Sequence, residues 1–167
     1  MKRCLLLLPA VLLLLFLSCP GTVPAARIET ETDDLTLIEC LNKAAGDISS
    51  ILHSGSIIAV IGISSDEAGE GDFAEEQLIF FFVTAGKYRI VERRELDKIR
   101  DEQIFHLSGE VDDRTAVSIG RMAGAGTIIV GTILPYGGGK YLSLRALDVE
   151  SSEILAVSSR FYSGGIF

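Results

Sequence analysis

The sequence KYRIVERRELDKIRDEQ, residues 87–103, decides the fold of this chain. A short apolar segment, residues 88–91, leads straight into three charged residues with no glycine or proline in between. Beyond them, apolar residues recur at the spacing of one helix face, at Leu96, Ile99, Ile104 and Leu107. The stretch therefore predicts a strand followed at once by a helix over residues 95–107.

Glu92, Arg93 and Arg94 form a charged corner where that strand meets the helix. One interpretation is an anion-binding patch made by the two arginines. The other is a structural role, in which the arginines pair with the nearby acidic residues Glu95, Asp97, Asp101 and Glu102. The structural interpretation is favoured, because these acidic residues outnumber the two arginines and because acidic side chains suit a helix N-terminus.

Two helices and a strand are predicted upstream of this corner. Residues 35–52 carry apolar side chains on one helix face, with Asp33 or Asp34 as the expected N-cap and Gly55 just past the end. Residues 56–63, SIIAVIGI, form an apolar run typical of a strand covered on both faces. Residues 73–85 predict a helix that ends at Gly86, although IFFFV within it is rich in residues that favour strands.

Downstream, the chain predicts one more helix and then three strands. The helix follows Val111, is capped by Asp112 or Asp113, and ends at Gly124 and Gly126. Its expected apolar face consists of Ala116, Val117, Ile119, Met122 and Ala123. The strands begin with residues 127–134 and end with residues 154–162, joined by turns at residues 136–140 and 150–153. This order predicts an α/β fold: a small mixed β-sheet flanked by helices, with antiparallel strands at the C-terminal end.

Residues 1–26 are predicted to be a signal peptide. Lys2 and Arg3 precede an apolar run, residues 5–17, that is short for a membrane span, so an uncleaved anchor is less favoured. Two cleavage sites remain open. The segment FLSC resembles a lipoprotein box that would place a lipid on Cys19, whereas a small-residue site around Val23 and Ala25 would release a soluble protein. Lipidation of Cys19 is favoured.

The remaining chain is expected to form one domain. Residues 20–32 are a short polar linker with a reach of roughly 45 Å, and residues 33–167 have the length of a single domain. Signal removal takes away two basic residues and no acidic one, so the formal net charge falls from −8 to about −10. An acidic chain lacks the basic footprint of nucleic-acid binders, so no nucleic-acid partner is expected.

Cysteine and histidine give no sign of a catalytic, metal or cofactor site. Cys4 leaves with the signal peptide, and Cys40 lies among apolar residues, as expected of a buried thiol that acts as a small hydrophobe. His53 and His106 lie at helix ends without a carboxylate or cysteine arranged beside them. We therefore predict no cofactor, no metal ligands and no catalytic residues.

The acidic loop over residues 64–72, with its continuation to residue 76, is a further candidate ligand site. It lacks the GK[ST] of a phosphate loop, and its acidic residues would repel phosphate. Their spacing does not fit an EF-hand either. A solvated loop is the favoured interpretation of the acidic positions Asp66, Glu67, Glu70 and Asp72.

Four segments together resemble the CsgG/LpoB-like family. They are IIAVIGI, KYRIVERRELDKIRDEQ, SGEVDDRTAVSIGRMAGAGTIIVGTI and KYLSLRALDVESSEILAVS, within residues 57–158. The family includes the curli secretion channel and the outer-membrane lipoproteins that activate penicillin-binding proteins. The resemblance implies an α/β layer of helices on a small mixed sheet, and a lipoprotein that is not an enzyme.

Two features differ from those members. Pore hairpins need about 9–11 alternating residues per membrane strand, and the turns at residues 136–140 and 150–153 leave no room for them. The linker over residues 20–32 is also too short for an arm that crosses the cell wall, which argues against direct activation of an inner-membrane synthase.

The expected function is therefore binding without catalysis. The chain is predicted to be a lipoprotein on the periplasmic side of the outer membrane, held by Cys19. Its partners would be envelope proteins, either a peptidoglycan synthase or secretion and assembly components, with homo-oligomerisation left open. The alternative is a soluble periplasmic ligand-binding or enzymatic domain that uses the acidic loop over residues 64–76.

Overall fold

The computed structural model describes residues 35–104 and 112–163. The helices there are α1 (Leu37–Ile51), α2 (Glu70–Ala85), α3 (Arg93–Ile104) and α4 (Asp113–Met122). The strands are β1 (Ile57–Ser65), β2 (Arg89–Ile90), β3 (Thr127–Tyr136), β4 (Gly139–Asp148) and β5 (Ile154–Tyr162). This is the predicted order of elements. The expectations for Cys19, the linker, Val111 and His106 fall outside the described residues.

The strands form one mixed sheet in the order β2-β1-β3-β4-β5. Strands β2, β1 and β3 are parallel, and β3, β4 and β5 are antiparallel. The turn between β3 and β4 depends on Gly137 and Gly138, whose φ angles of +56° and +87° are strained for other residues. The predicted mixed sheet with antiparallel C-terminal strands is confirmed.

Helices α1 and α2 cover one face of the sheet. The cluster they form with it includes Leu41, Ile48, Phe82, Ile129 and Tyr162, all with at most 1% of their surface exposed. Burial of this apolar surface is the main stabilising contribution to the fold. The segment IFFFV is helical because Phe82 fills this core, so tertiary packing overrides its strand propensity.

Helix α1 begins two residues later than its apolar pattern suggested, which corrects the predicted cap. The N-cap is Thr36 and not Asp33 or Asp34. The Thr36 hydroxyl accepts from the Glu39 N–H, and the Glu39 carboxylate accepts from the Thr36 N–H. This reciprocal pair is a capping box, and it was present in the sequence as TLIE.

Helices α3 and α4 cover the opposite face only over β1 and β3. Leu96, Ala116 and Ile119 pack there against Ile128 in a smaller apolar cluster. Gly120 lets α4 lie against the sheet, because a Cβ at this position would come within 2.3 Å of the Ile128 side chain.

Three predicted features of these elements are corrected. Strand β1 continues to Ser65, and α2 begins at Glu70, so the acidic loop is shorter than residues 64–72. In α4, Met122 was placed on the apolar face but is 53% exposed. The helix ends within that turn, so its buried face stops at Gly120. The predicted N-cap Asp112 is confirmed, as is Gly124, with φ of +71°, just past the helix end.

Candidate functional site

Arg93 of the charged corner has a structural role, but its expected partners on α3 were wrong. Arg93 turns away from its own helix and donates to Asp72 on α2 at 2.8 Å. It also lies 3.8 Å from Glu75 and from Glu76. The acids on α3 pair with other residues, Glu95 with Lys98 and Asp97 with Arg100. The corner therefore ties α3 to α2 instead of closing on itself, a contact between residues 21 positions apart that sequence spacing could not reveal.

The acidic loop is solvated only in part. Asp66 and Glu67 are exposed, but Glu70 is 6% exposed and lies at the centre of a hydrogen-bond network. Lys140 donates to both Glu70 oxygens at 2.8 Å, and the hydroxyls of Ser65 and Tyr162 also donate to them. The expectation of a solvated Glu70 is therefore wrong, because the β3–β4 hairpin brings Lys140 to it from 70 residues away.

This network holds Glu70 in its ionised form. Burial alone would raise the pKa of Glu70, but the hydrogen bonds from Lys140, Ser65 and Tyr162 outweigh burial and lower it below its usual value. The same network raises the pKa of Tyr162, because burial and the Glu70 carboxylate both disfavour the phenolate. All four side chains are used in holding α2, β1, β4 and β5 together. The network stabilises the fold and leaves no free group for a ligand.

Cys40 behaves as predicted. Its thiol is fully buried in α1 and donates weakly to the Phe161 carbonyl at 3.5 Å. Burial raises its pKa to about 11, so the thiol stays protonated and unreactive. His53 is exposed just beyond α1, and its backbone carbonyl accepts from the Ser56 hydroxyl at 2.7 Å.

A cavity of about 780 Å³ opens where α2, α3 and the start of α4 meet the sheet. It lies beside a β-bulge in β1. Val60 pairs with Ile129 and Gly62 with Val130, so Ile61 has no partner in the β1–β3 register. The Ile61 carbonyl instead accepts from Arg100 on α3 at 2.7 Å. The bulge thus fixes one arginine at the cavity wall, as bulges near functional sites do.

Glu75 of α2 forms another wall of this cavity. Only 4% of its surface is exposed, and its Oε1 atom has no hydrogen-bond partner among the described residues. The Arg100 Nε atom is also buried and without a partner in the same part of the chain. Burial raises the pKa of Glu75, and the nearby Arg93 and Arg100 offset that effect only in part.

The remaining walls are polar and largely paired. Arg145 of β4 makes a two-pronged ion pair with Asp113 at the start of α4, with N–O distances of 2.6 and 2.9 Å. The hydroxyl-bearing residues Ser64 and Thr132 and the exposed Arg114 complete this rim. Ser64, Asp72 and Glu75 come from residues 64–76, the stretch that the alternative prediction uses as a ligand-binding loop. The remaining wall residues come from β1, β3, β4, α3 and the start of α4, and no local sequence pattern indicated that they would meet.

Next to the cavity, the sheet face formed by β3, β4 and β5 is uncovered within the described part of the chain. The paired register aligns Leu134, Tyr141 and Phe161 in one row, and Thr132, Ser143 and Ser159 in the next. Tyr136 adds a ring beside Tyr141, with ring centres 6.2 Å apart. Leu134, Tyr136 and Val157 are each more than half exposed. We call this surface the open face. An apolar row of this kind on a sheet is a feature of interaction surfaces.

Neither a metal site nor a membrane-spanning helix is present in the described ranges. No three acidic, histidine or cysteine residues there could share a metal ion. No helix among residues 35–104 and 112–163 is long and apolar enough to cross a membrane. The described residues form an α/β domain, in which helices pack on both faces of a five-stranded mixed sheet and the open face lies beside a polar cavity.

Solved structures share this fold. The LpoB C-terminal domain from Salmonella enterica aligns with a TM-score of 0.64 and 16% identity, over 76% of this chain and 98% of that domain. The corresponding domain from Escherichia coli aligns with a TM-score of 0.59 and 19% identity, over 74% and 98%. Lipoprotein GNA1162 from Neisseria meningitidis aligns with a TM-score of 0.52 and 13% identity, over 66% and 81%. At these identities the likeness is one of fold.

The family follows from the sequence itself. The family model described as the curli production assembly/transport component CsgG matches residues 57–141, which is about half of the chain. The chain belongs to this family, and the predicted resemblance is confirmed. No curated protein sequence matches it. The matched residues run from the start of β1 into β4 and include the charged corner and the described cavity-wall residues except Arg145.

Proposed function

We propose that this chain is a lipoprotein of the bacterial cell envelope whose domain binds another envelope protein and catalyses no reaction. The observation that carries the proposal is the open face in a CsgG-family fold. It presents an apolar row to solvent where the opposite sheet face is covered by two helices. In the described part of the chain, the buried ionised residue Glu70 is fully engaged in the fold, which fits a binding role better than catalysis.

The family resemblance suggests the kind of partner. Relatives in the CsgG/LpoB-like group serve secretion or activate peptidoglycan synthases, so the partner proposed here is a protein of one of those two machineries. The lipid on Cys19 would hold the domain at the periplasmic side of the outer membrane. Such a tether raises the effective concentration of the domain near membrane-bound partners.

Site-specific photocrosslinking in cells tests the open face. A photoreactive amino acid would replace Tyr141 on the open face or, as the matched control, Phe80, which is 67% exposed on the outer side of α2. We expect adducts at Tyr141 but not at Phe80, and we expect mass spectrometry to identify a peptidoglycan synthase or a secretion component in them. Adducts at both positions, or self-capture alone at Tyr141, would contradict the proposal.

Membrane fractionation tests the anchor separately. Cys19→Ala should move the protein from the membrane fraction to the soluble periplasmic fraction, because a lipid contributes about 0.8 kcal/mol per buried methylene. Cys40→Ala is the matched control, since Cys40 is buried in α1 and should leave fractionation unchanged. Unchanged fractionation of the Cys19 variant would contradict the anchor and leave the interaction test unaffected.

A further inference from the structure

The cavity between α2, α3 and α4 is lined by two residues that each have one buried atom without a hydrogen-bond partner. These atoms are Glu75 Oε1, an acceptor, and Arg100 Nε, a donor. Among the described residues, no other buried side-chain nitrogen or oxygen lacks a partner. Leaving a buried polar atom without a hydrogen-bond partner costs stability. Two such atoms on residues that line one cavity favour a cavity that accepts a group from outside the fold.

The other buried glutamate of helix α2 does not share the unpaired oxygen of Glu75. Five residues earlier on the same helix, Glu70 is equally buried and accepts from three different side chains. Burial of a glutamate in this fold is therefore compatible with complete pairing. Near Glu75, Arg93 is engaged with Asp72, and Arg100 uses its Nη atoms on Asp97 and the Ile61 carbonyl.

The opposite charges of Glu75 and Arg100 limit which ligand could fill the cavity. An anion such as phosphate would meet Glu75 and the carboxylates of Asp72, Asp112 and Asp113 on the walls. A simple cation would satisfy Glu75 but leave Arg100 Nε without an acceptor. A ligand with an ammonium group and a carboxylate supplies one partner for each, and both hydrogen bonds are charge-assisted.

The size and the apolar parts of the cavity suit an amino acid or a short peptide. A volume of about 780 Å³ lies in the range of small-molecule sites, roughly 300–1,000 Å³. Ile61, Ile63 and Val130 supply apolar wall surface between the charged groups. Thr132 and Ser64 add hydroxyls at the rim.

We infer that this cavity binds a zwitterionic amino acid, free or as part of a short peptide, with its ammonium group on Glu75 and its carboxylate on Arg100. The inference is independent of the partner proposed for the open face. It assigns a binding role to two buried atoms that the described part of the fold leaves without a hydrogen-bond partner.

Isothermal titration with matched probes tests this inference on the full chain. The probes are L-leucine, L-lysine and the dipeptide Ala-Leu, with leucinamide and N-acetyl-leucine as analogues that each lack one charge. We expect at least one zwitterion to bind, and both single-charge analogues of leucine to bind at least tenfold more weakly than leucine if leucine binds. Tighter binding of Ala-Leu than of the free amino acids would identify the ligand as a peptide. No binding of any zwitterion at about 10 mM would overturn the inference.

Variants of two neighbouring glutamates provide the second part of the test. Glu75→Gln should weaken binding at least tenfold, whereas Glu76→Gln, on the exposed side of the same turn, should bind as the unaltered protein does. Glu75→Gln is expected to be at least as stable as the unaltered protein, and thermal unfolding would check this. Lost binding could then not be attributed to unfolding. Equal binding by both variants would also overturn the inference.

Discussion

Glu70 and Glu75 lie five residues apart on helix α2, and both are nearly inaccessible to water. They differ in their hydrogen bonding and in the direction of their pKa shifts. Glu70 faces β5 and the β3–β4 hairpin, and its two oxygens accept from Lys140, Ser65 and Tyr162. Glu75 faces α3 and the cavity, and its Oε1 atom lies 3.8 Å from Arg93 Nε but has no hydrogen-bond partner among the described residues. The first has a lowered pKa, and the second has a raised one.

The contrast follows from what surrounds each carboxylate. The region around Glu70 is closed by three strands and a hairpin, so every donor is fixed in place. The region around Glu75 is bounded by α3 and the start of α4, which cover only part of the sheet. A buried carboxylate is tolerated in either region, but only in the first do both carboxylate oxygens accept hydrogen bonds. The second keeps hydrogen-bonding capacity free at the cost of stability, as binding sites do.

The largest expected effect comes from removing the paired carboxylate. Glu70→Ala should lower the free energy of unfolding by about 3 kcal/mol, because it leaves the partly buried Lys140 ammonium and the buried Tyr162 hydroxyl without their shared acceptor. Urea denaturation at neutral pH measures this. Glu67→Ala removes the other carboxylate on Lys140, but that side chain is 62% exposed, so its loss should cost less than about 1 kcal/mol. Equal losses of unfolding free energy in the two variants would contradict a larger contribution of Glu70 to stability.

The Glu70 effect should also depend on pH. Its folded-state pKa lies below the unfolded value of 4.5, so the ionised form is favoured by folding. Its contribution is present above pH 4.5 and is lost as the pH falls through the lowered folded-state pKa. The difference in the free energy of unfolding between the unaltered protein and Glu70→Gln should therefore become smaller in acid. A constant difference across that range would contradict the pairing as the source of stability.

An intermediate effect is expected where α4 meets the sheet. Gly120→Ala should cost about 2 kcal/mol, because the new methyl group would meet Ile128 at 2.3 Å and Val149 at 3.2 Å. Gly46→Ala in α1 is the matched control, since no other atom lies within 4 Å of its added Cβ and alanine favours helix by about 1 kcal/mol. Thermal unfolding should show opposite shifts. A stabilised Gly120→Ala variant would mean that α4 does not lie close against the sheet.

The smallest expected effect is a gain in stability. Glu75→Gln should raise the free energy of unfolding by about 1 kcal/mol near neutral pH, because it removes a charge that is buried without full pairing. Glu76→Gln should change it by less than about 0.5 kcal/mol. Urea denaturation of both variants measures this. A loss of stability in Glu75→Gln would show that the Arg93 and Arg100 charges already compensate Glu75.

The pH dependence of this gain has the opposite sign from that of Glu70. The folded-state pKa of Glu75 lies above 4.5, so the protonated form is favoured by folding. Below pH 4.5 the carboxyl group is neutral in both states, and Glu75→Gln should have little effect. The gain should appear as the pH rises through the raised folded-state pKa. The groups that face Glu75 and share in this titration are Arg93, Arg100, Asp72 and Asp97.

Much of the fold could be predicted from local sequence, and little of the site. The uninterrupted apolar run of β1, the glycine pair in the β3–β4 turn and Asp112 as an N-cap are signals read within a few residues. The local sequence does not distinguish Glu70 from Glu75, because both lie in an acidic stretch. What separates them is the position of Lys140 and Arg100, which depends on strand order and helix packing.

The sequence by itself determined the order of elements, the mixed sheet, the buried thiol of Cys40 and membership of the CsgG family. These depend on periodicity, on turn residues and on motifs that are contiguous in the chain. Only the tertiary structure decided that Arg93 joins α3 to α2, that Glu70 is paired, and that Glu75 and Arg100 face one cavity. Hydrogen bonding and burial depend on distances between residues far apart in sequence, and those distances are fixed only when the helices pack on the sheet.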